Sequence, residues 1–344
     1  MDAGLTAFAT LRAIAILLAA TLASVLLIVL LRPLLARYAT AQPNARSSHT
    51  LPTPQGGGIA VVAATIAVSA AAFYFLPAGA TTLRLPIIAV AALLIAGVGV
   101  LADIHPANVA ARLLLQTLAV AAIVFVLPTG LRVLPVLPLP AERIALVIGG
   151  LWFVNLVNFM DGIDLMTVAE VVPITAALAA IGLFGLLPPG AIVVSLALCG
   201  ALIGFAYFNR PVAKLFLGDV GSLPIGLMLG WLLVLLAGNG SRAAAIMLPL
   251  YYFADSTITL IRRARNGEKV WQAHRSHFYQ RATDRGFSVL DVVARVFAVN
   301  LALAGLAFAT VIVRSRIGDM AALSAGVALV AGLLYVLARG RDAK

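Results

Sequence analysis

The stretch "FLGDVGSLPIGLMLGWLLVLLAG", Phe216 to Gly238, decides the fold. From Leu223 onward it carries no charge and no break before Gly238. Runs of about 17–25 such residues cross a bilayer as helix. Working outward, similar runs fall near 7–31, 58–77, 85–101, 112–128, 143–157, 166–187, 191–208, 243–261, 292–313 and 319–338, with this one at 223–238. The chain therefore reads as an all-α polytopic membrane protein with about eleven transmembrane helices. Composition agrees: of 344 residues 62% are hydrophobic and 11% charged, with mean hydropathy +1.07. Soluble domains run nearer half apolar and a quarter charged. The whole of 1–344 is expected to form one integral-membrane domain, with loops at 32–57, 102–111, 158–165, 209–222 and 262–291. The first apolar run, from Leu11 to Leu31, is too long for a signal-peptide core and is read as a retained helix. A single cysteine, Cys199, sits in an apolar run, where a core role is expected and an intrachain disulfide is impossible.

Orientation follows from the basic residues. Of the 24, 17 fall in one set of alternate loops and the other seven in the second. The positive-inside rule places the richer set in the cytoplasm, the N-terminus outside and the C-terminus inside. Asp103, Asp161, Asp164, Asp219, Glu268, Asp284 and all four histidines (His49, His105, His274 and His277) then share the cytoplasmic side. The chemistry is expected there. The net charge of +11 belongs to those loops and to lipid headgroups rather than to nucleic acid.

Five stretches carry polar residues at helix mouths. "QPNARSSHTLPTPQGGG", Gln42 to Gly58, offers Ser47, Ser48 and His49 as donors, and glycines that let backbone N–H groups approach an anion. "LADIHPANVAARLLLQ", Leu101 to Gln116, ends a span with Asp103, able to bind Mg²⁺ or take a proton; His105 has no metal-ligand partner nearby in sequence. "NLVNFMDGIDL" spaces Asn155, Asn158, Asp161 and Asp164 by threes, which on a helix aligns them along one side. Such oxygens suit a hard cation or accept N–H bonds from a base or sugar. In "FNRPVAKLFLGDVGSLPIG", Asp219 is the best single Mg²⁺ ligand candidate, Lys214 can reach a phosphate and Phe216 can stack on a base. "DSTITLIRRARNGEKVWQAHRSHFYQRATDRG", Asp255 to Gly286, pairs a buried Asp255 toward Thr259 and Arg262, and directs His274, Arg275 and His277 at a diphosphate. Arg262, Arg263 and Arg265 read as a basic patch on anionic lipid. Acids for Mg²⁺ beside basic groups for phosphate point to phosphoryl transfer.

In order and spacing, "PNARSSHTLPTPQGGG", "NFMDGIDL", "FLGDVGSL" and "AHRSHFYQR" make the chain resemble the bacterial polyprenyl-phosphate N-acetylhexosamine-1-phosphate transferases of glycosyltransferase family 4, which include the phospho-MurNAc-pentapeptide translocase. The first and last motifs look most like the branch that starts O-antigen or capsule repeat units. The resemblance implies a multi-pass protein of the inner membrane with a periplasmic N-terminus. It implies Mg²⁺-dependent transfer of a sugar-1-phosphate from a UDP-N-acetylhexosamine to undecaprenyl phosphate, with release of UMP and with Mn²⁺ able to substitute. Asp219 then matches the metal ligand. Asp161, Asp164, Asn209 and Phe216 match positions around nucleotide and metal. His274, Arg275, His277 and Gln280 match the sugar and diphosphate loop. Asp103 matches the second acid of an Asp-Asp pair near the lipid phosphate. Ala102 stands where the first acid of that pair is expected, and Gln55 where an Arg is expected. Ala102 keeps open a catalytically impaired binding homologue. A lipid-linked-sugar transporter is the other alternative, disfavoured because the polar groups lie at helix ends and not at mid-membrane. The family is compatible with a homodimer, which no sequence motif here decides.

Overall fold

The computed structural model describes residues 3–41, 51–74, 85–104, 108–270 and 274–341, with side chains from Thr10 onward. Thirteen α-helices occur among the described residues: α1 Ala3–Tyr38, α2 Gly58–Tyr74, α3 Leu85–Ile104, α4 Val109–Phe125, α5 Leu139–Met160, α6 Met166–Ile181, α7 Pro189–Asn209, α8 Asp219–Gly238, α9 Arg242–Met247, α10 Leu250–Arg265, α11 Phe278–Asp284, α12 Val289–Val313 and α13 Arg316–Arg339. A two-residue hairpin, β1 Thr40–Ala41 with antiparallel β2 Thr53–Pro54, lies between α1 and α2. Among the described residues eight helices are long and apolar enough to cross a membrane. An all-α, polytopic membrane fold is therefore what the sequence builds.

Many boundaries shift by a few residues, and three differences bear on the site or the span count. α1 continues through Pro33 to Tyr38, beyond the expected end at 31. The expected span at 243–261 is two helices, α9 and α10, separated at Leu248–Pro249; a proline has no N–H to continue the helical ladder. α5 stops at Met160, so Asn155 and Asn158 are helical but Asp161 and Asp164 are not. The four side chains therefore do not form one helical row.

α8 is the axis of the bundle. Nearly every residue from Val220 to Ala237 is buried, and α2, α3, α5 and α9 pack around it. Small residues set how closely they come. A Cβ on Gly58 would fall 2.1 Å from the Gly221 Cα, and one on Gly99 would fall 2.4 Å from the Val220 nitrogen. Without a hydrophobic drive between helices in lipid, such close backbone approach is what holds them. The consequence is positional: α2 and α3 grip the first turn of α8, where Asp219 sits. α1 by contrast turns Leu18, Leu22, Leu26 and Leu30 outward, an apolar face suited to lipid. Cys199 is buried in α7 among core residues.

Candidate active site

Asp219 opens α8 directly after Gly218, whose φ of +77° a side chain would strain. The Asp103 carboxylate, at the end of α3, accepts the backbone N–H groups of Asp219 (3.0 Å) and Val220 (3.2 Å), and also the side-chain amide of Gln55. It thus caps α8 from another helix, satisfying two donors that a helix start leaves open. The Asp219 side chain is fixed on both oxygens. Oδ1 accepts from Asn158 Nδ2 at 2.7 Å, and Oδ2 accepts from Arg112 Nη1 at 2.9 Å. Asn158 also donates to Ser222 Oγ at 2.9 Å, so its carbonyl oxygen is left as an acceptor.

The segment after α5 makes the second wall. Leu165 takes a left-handed conformation, φ 62°, and its N–H is received by Asn209 Oδ1 at 2.7 Å. Asn209 Nδ2 donates to the Leu215 carbonyl at 3.0 Å. Asp164 Oδ2 accepts the Ala213 N–H at 3.0 Å. Asn209 and Asp164 therefore tie the 161–165 turn to the 210–218 loop. Asp161 accepts from Thr167 Oγ1 at 2.6 Å. Burial pushes its carboxyl up to about 7, the Thr167 hydrogen bond opposes this, and the charges of Asp219, Asp103 and Asp164 add to it. The third wall is Phe216, whose N–H donates to the Pro54 carbonyl at 2.8 Å and whose carbonyl accepts from Gly56 and Gly57.

Together these walls enclose a cavity of about 440 Å³ lined by Gln55, Asn158, Asp161, Asp164, Asn209, Phe216, Asp219 and Gln280, among others. Its volume is within the range of small-molecule sites. A second cavity of about 510 Å³ lies at the other end of α2 and α3, beside Ser69, Phe73 and Leu85, and none of its lining residues is titratable. The titratable side chains line the first.

The donor set fits Mg²⁺. Asp219, Asp161 and the Asn158 carbonyl are hard oxygen groups lining one cavity. Among the described residues no three His, Cys, Asp or Glu side chains form a metal cage. Mg²⁺ in general takes one or two carboxylates plus waters and substrate phosphates.

Other expected site residues stand elsewhere. Asp103 lies against Gly218 and the α8 start rather than among the cavity-lining side chains. His277 is buried, its Nδ1 3.1 Å from Asp255 Oδ1, and it begins α11. Asp255 also accepts the N–H groups of Phe278 (3.0 Å) and Tyr279 (3.2 Å). Its partners thus include the Tyr251 and Thr259 hydroxyls and the His277 turn. Arg262, expected as a partner, instead donates to the Ser276 carbonyl at 2.6 Å. Arg275 pairs with Asp284 at 2.8 Å, and His274 Nδ1 lies 2.9 Å from Ser276 Oγ. Arg263, read as a lipid contact, is buried and pairs with Glu268 at 2.7 Å. Lys214 is exposed and lines no part of the cavity. Among the described residues after α10, Gln280 and Val289 line it; Tyr279 binds the Phe159 carbonyl at 3.1 Å and lies over Gly162. Ser47, Ser48, His49 and His105 lie outside the described residues. Sequence reasoning missed Arg112, the basic residue nearest Asp219. Its signal was present: it is the one arginine in "LADIHPANVAARLLLQ", on the side where the acids gather.

Comparison with known proteins places the chain beside a family of transferases. The model of "Glycosyl transferase family 4" matches residues 85–237, a range that holds Asp103, Arg112, Asn158, Asp161 and Asp219. The chain is 29% identical to the decaprenyl-phosphate N-acetylglucosaminephosphotransferase of Mycobacterium tuberculosis, over 88% of this chain and 84% of that one. It is 27% identical to the "probable undecaprenyl-phosphate N-acetylglucosaminyl 1-phosphate transferase" of Bacillus subtilis, over 82% and 83%. It is 32% identical over 44% of its length to the phospho-N-acetylmuramoyl-pentapeptide-transferase of Rhodopseudomonas palustris, covering 46% of that protein. Over residues 85–237 the chain is therefore similar to glycosyl transferase family 4, and along most of its length to the two prenyl-phosphate transferases named first.

Proposed function

We propose that this protein transfers N-acetylhexosamine-1-phosphate from a UDP-sugar to undecaprenyl phosphate at the cytoplasmic face of the bacterial inner membrane. UMP is released, and the product starts a surface polysaccharide such as O-antigen or capsule. The observation that carries this reading is one cavity in which Asn158, Asp161, Phe216, Asp219 and Gln280 meet from three separate stretches. The named transferases among its relatives support it.

In this reading the chain is one domain crossing the membrane eleven times. The eight long helices, the shorter α2 and α4, and the broken α9–α10 pair make up that number. The N-terminus is periplasmic and the C-terminus cytoplasmic, as the basic residues require.

Asp219 and Asp161, with the Asn158 carbonyl, would hold Mg²⁺, or Mn²⁺ in its place. The ion supplies charge neutralisation on the diphosphate as its bridging bond breaks. Phe216 stacks on the uracil ring, and Gln280 hydrogen-bonds the sugar or diphosphate. Arg112 supplies a guanidinium to a phosphate, a planar fork suited to such oxygens. An oxygen of undecaprenyl phosphate attacks the β-phosphorus, the bond to the bridging oxygen breaks, and UMP leaves with that oxygen. A phosphate monoester is largely ionised at neutral pH, its second pKa being about 6. The attacking group therefore needs no base, which is consistent with Ala102 and with an Asp103 engaged on backbone.

The test is radiolabelled UDP-sugars, as a panel of N-acetylhexosamines, with the purified chain, undecaprenyl phosphate and Mg²⁺. A metal-dependent lipid product supports the proposal. Nucleotide-sugar binding with no turnover, and none restored by Ala102→Asp, would instead make the chain a binding homologue. Uptake of intact UDP-sugar into proteoliposomes would make it a transporter.

A further inference from the structure

Both oxygens of the Asp219 carboxylate are taken. Oδ1 receives the Asn158 amide at 2.7 Å, and Oδ2 receives Arg112 Nη1 at 2.9 Å. The Asp219 and Arg112 side chains keep 27% and 24% of their exposure, so the pair is partly shielded from solvent but open to the cavity. Arg112 stands in the first turn of α4. Its Nε is buried and makes no hydrogen bond. Its side chain is therefore anchored through the Asp219 contact and has donor capacity left unused.

A divalent cation bound by Asp219 needs an oxygen at about 2.0–2.1 Å with near-octahedral room around it. A guanidinium nitrogen at 2.9 Å from that same oxygen occupies the approach and carries like charge. We propose that Arg112 and the divalent cation exclude one another at Asp219 Oδ2, so that Arg112 lowers the metal affinity of the substrate-free site. A phosphate that draws the guanidinium away then raises metal affinity. By reciprocity the metal raises phosphate affinity by the same factor. Ordered loading follows: the metal is held firmly only once a phosphate is present to receive Arg112. The inference rests on Asp219 being the metal ligand.

The experiment is Mn²⁺ binding to the full chain in detergent, read by electron paramagnetic resonance of the free ion. Asp219→Asn serves as reference, and thermal unfolding checks folding. Arg112→Gln is expected to bind Mn²⁺ more tightly than the parent, by about 5-fold or more, the lower end of ordinary linkage. Methyl phosphate, corrected with a protein-free control for its own hold on Mn²⁺, is expected to tighten Mn²⁺ binding in the parent but not in Arg112→Gln. Should Arg112→Gln fail to fold, Arg112→Lys keeps the charge on a shorter reach and is expected to bind Mn²⁺ with affinity above the parent's. Equal or weaker Mn²⁺ binding by a folded Arg112 variant, with Asp219→Asn silent, overturns the exclusion and leaves the metal assignment standing. Unchanged Mn²⁺ binding in Asp219→Asn overturns the metal assignment, and the exclusion with it.

Discussion

Asp103 Oδ1 accepts the backbone N–H of Asp219 at 3.0 Å, across 116 residues of sequence. With Val220 N–H on the other oxygen and the Gln55 amide beside it, Asp103 is a cap for α8. It fixes the turn that aims Asp219 and is a positioning residue rather than a free base. Asp103→Ala is expected to destabilise the protein by about 0.5–2 kcal/mol, the cost of losing a helix cap. It should also lower kcat by about 10²-fold, because the Asp219 turn loosens by a fraction of an ångström to an ångström. Thermal unfolding and initial rates read the two effects together. A fall in rate with the unfolding temperature unchanged would argue instead that Asp103 acts on substrate directly.

Much of the fold was legible because lipid imposes a simple rule. Every span must be a long apolar run with its backbone bonded internally, and the sequence displays those runs openly. The site was legible as a list of acids at helix mouths, since charge is rare elsewhere in the chain. What the sequence could not display was which side chains serve the backbone. Asp103, Asn209 and His277 look alike in one dimension, as polar residues at a helix end. Their roles depend on partners that the fold brings from afar: the α8 N–H groups, the Leu165 N–H and Asp255. Arg112 was hidden for the opposite reason. Near Asn108 it looks like an ordinary basic residue of a short loop, and only the approach of α4 to α8 turns it toward Asp219.

Burial holds the Asp161 carboxyl at about 7, against 3.8 ordinarily. Between those values the folded chain keeps a proton that the unfolded chain has released. Stability should therefore fall as pH rises from about 4 to about 7 and level off above. The comparison is thermal unfolding in chelator at pH 5.5 and 7.5. The parent is expected to lose more stability across that interval than Asp161→Asn, whose amide cannot titrate. Equal losses in both chains would mean that Asp161 is ionised throughout.

The last loop divides its residues between architecture and substrate. Asp255 receives His277 Nδ1 and the N–H groups of Phe278 and Tyr279. Asp255→Ala leaves these buried donors without an acceptor, at about 1–3 kcal/mol each. It is expected to lower the unfolding temperature sharply and to depress the yield of folded protein. Gln280→Ala, at the cavity wall, loses among the described residues a long 3.4 Å bond from His277 N–H. It should unfold like the parent and show a raised KM for the nucleotide sugar. If the two variants behaved alike, the division between support and contact drawn here would be wrong.

Two glycines in neighbouring helices should respond oppositely to the same substitution. Gly58 faces Gly221, where an added Cβ would lie 2.1 Å from the opposing Cα, and the obstacle is backbone that cannot swing aside. Gly97 in α3 is exposed, and an added Cβ there meets nothing within 4 Å. Gly58→Ala must push α2 from α8, an overpacking cost of about 1–3 kcal/mol. It should also slow turnover, since α2 packs on the first turn of α8, where Asp219 sits. Gly97→Ala is expected to be neutral, or stabilising by up to about 1 kcal/mol through helix propensity. Unfolding temperatures of both variants, measured in one detergent, decide the matter. A Gly58→Ala chain as stable and active as the parent would show that the α2–α8 contact does not set the position of Asp219.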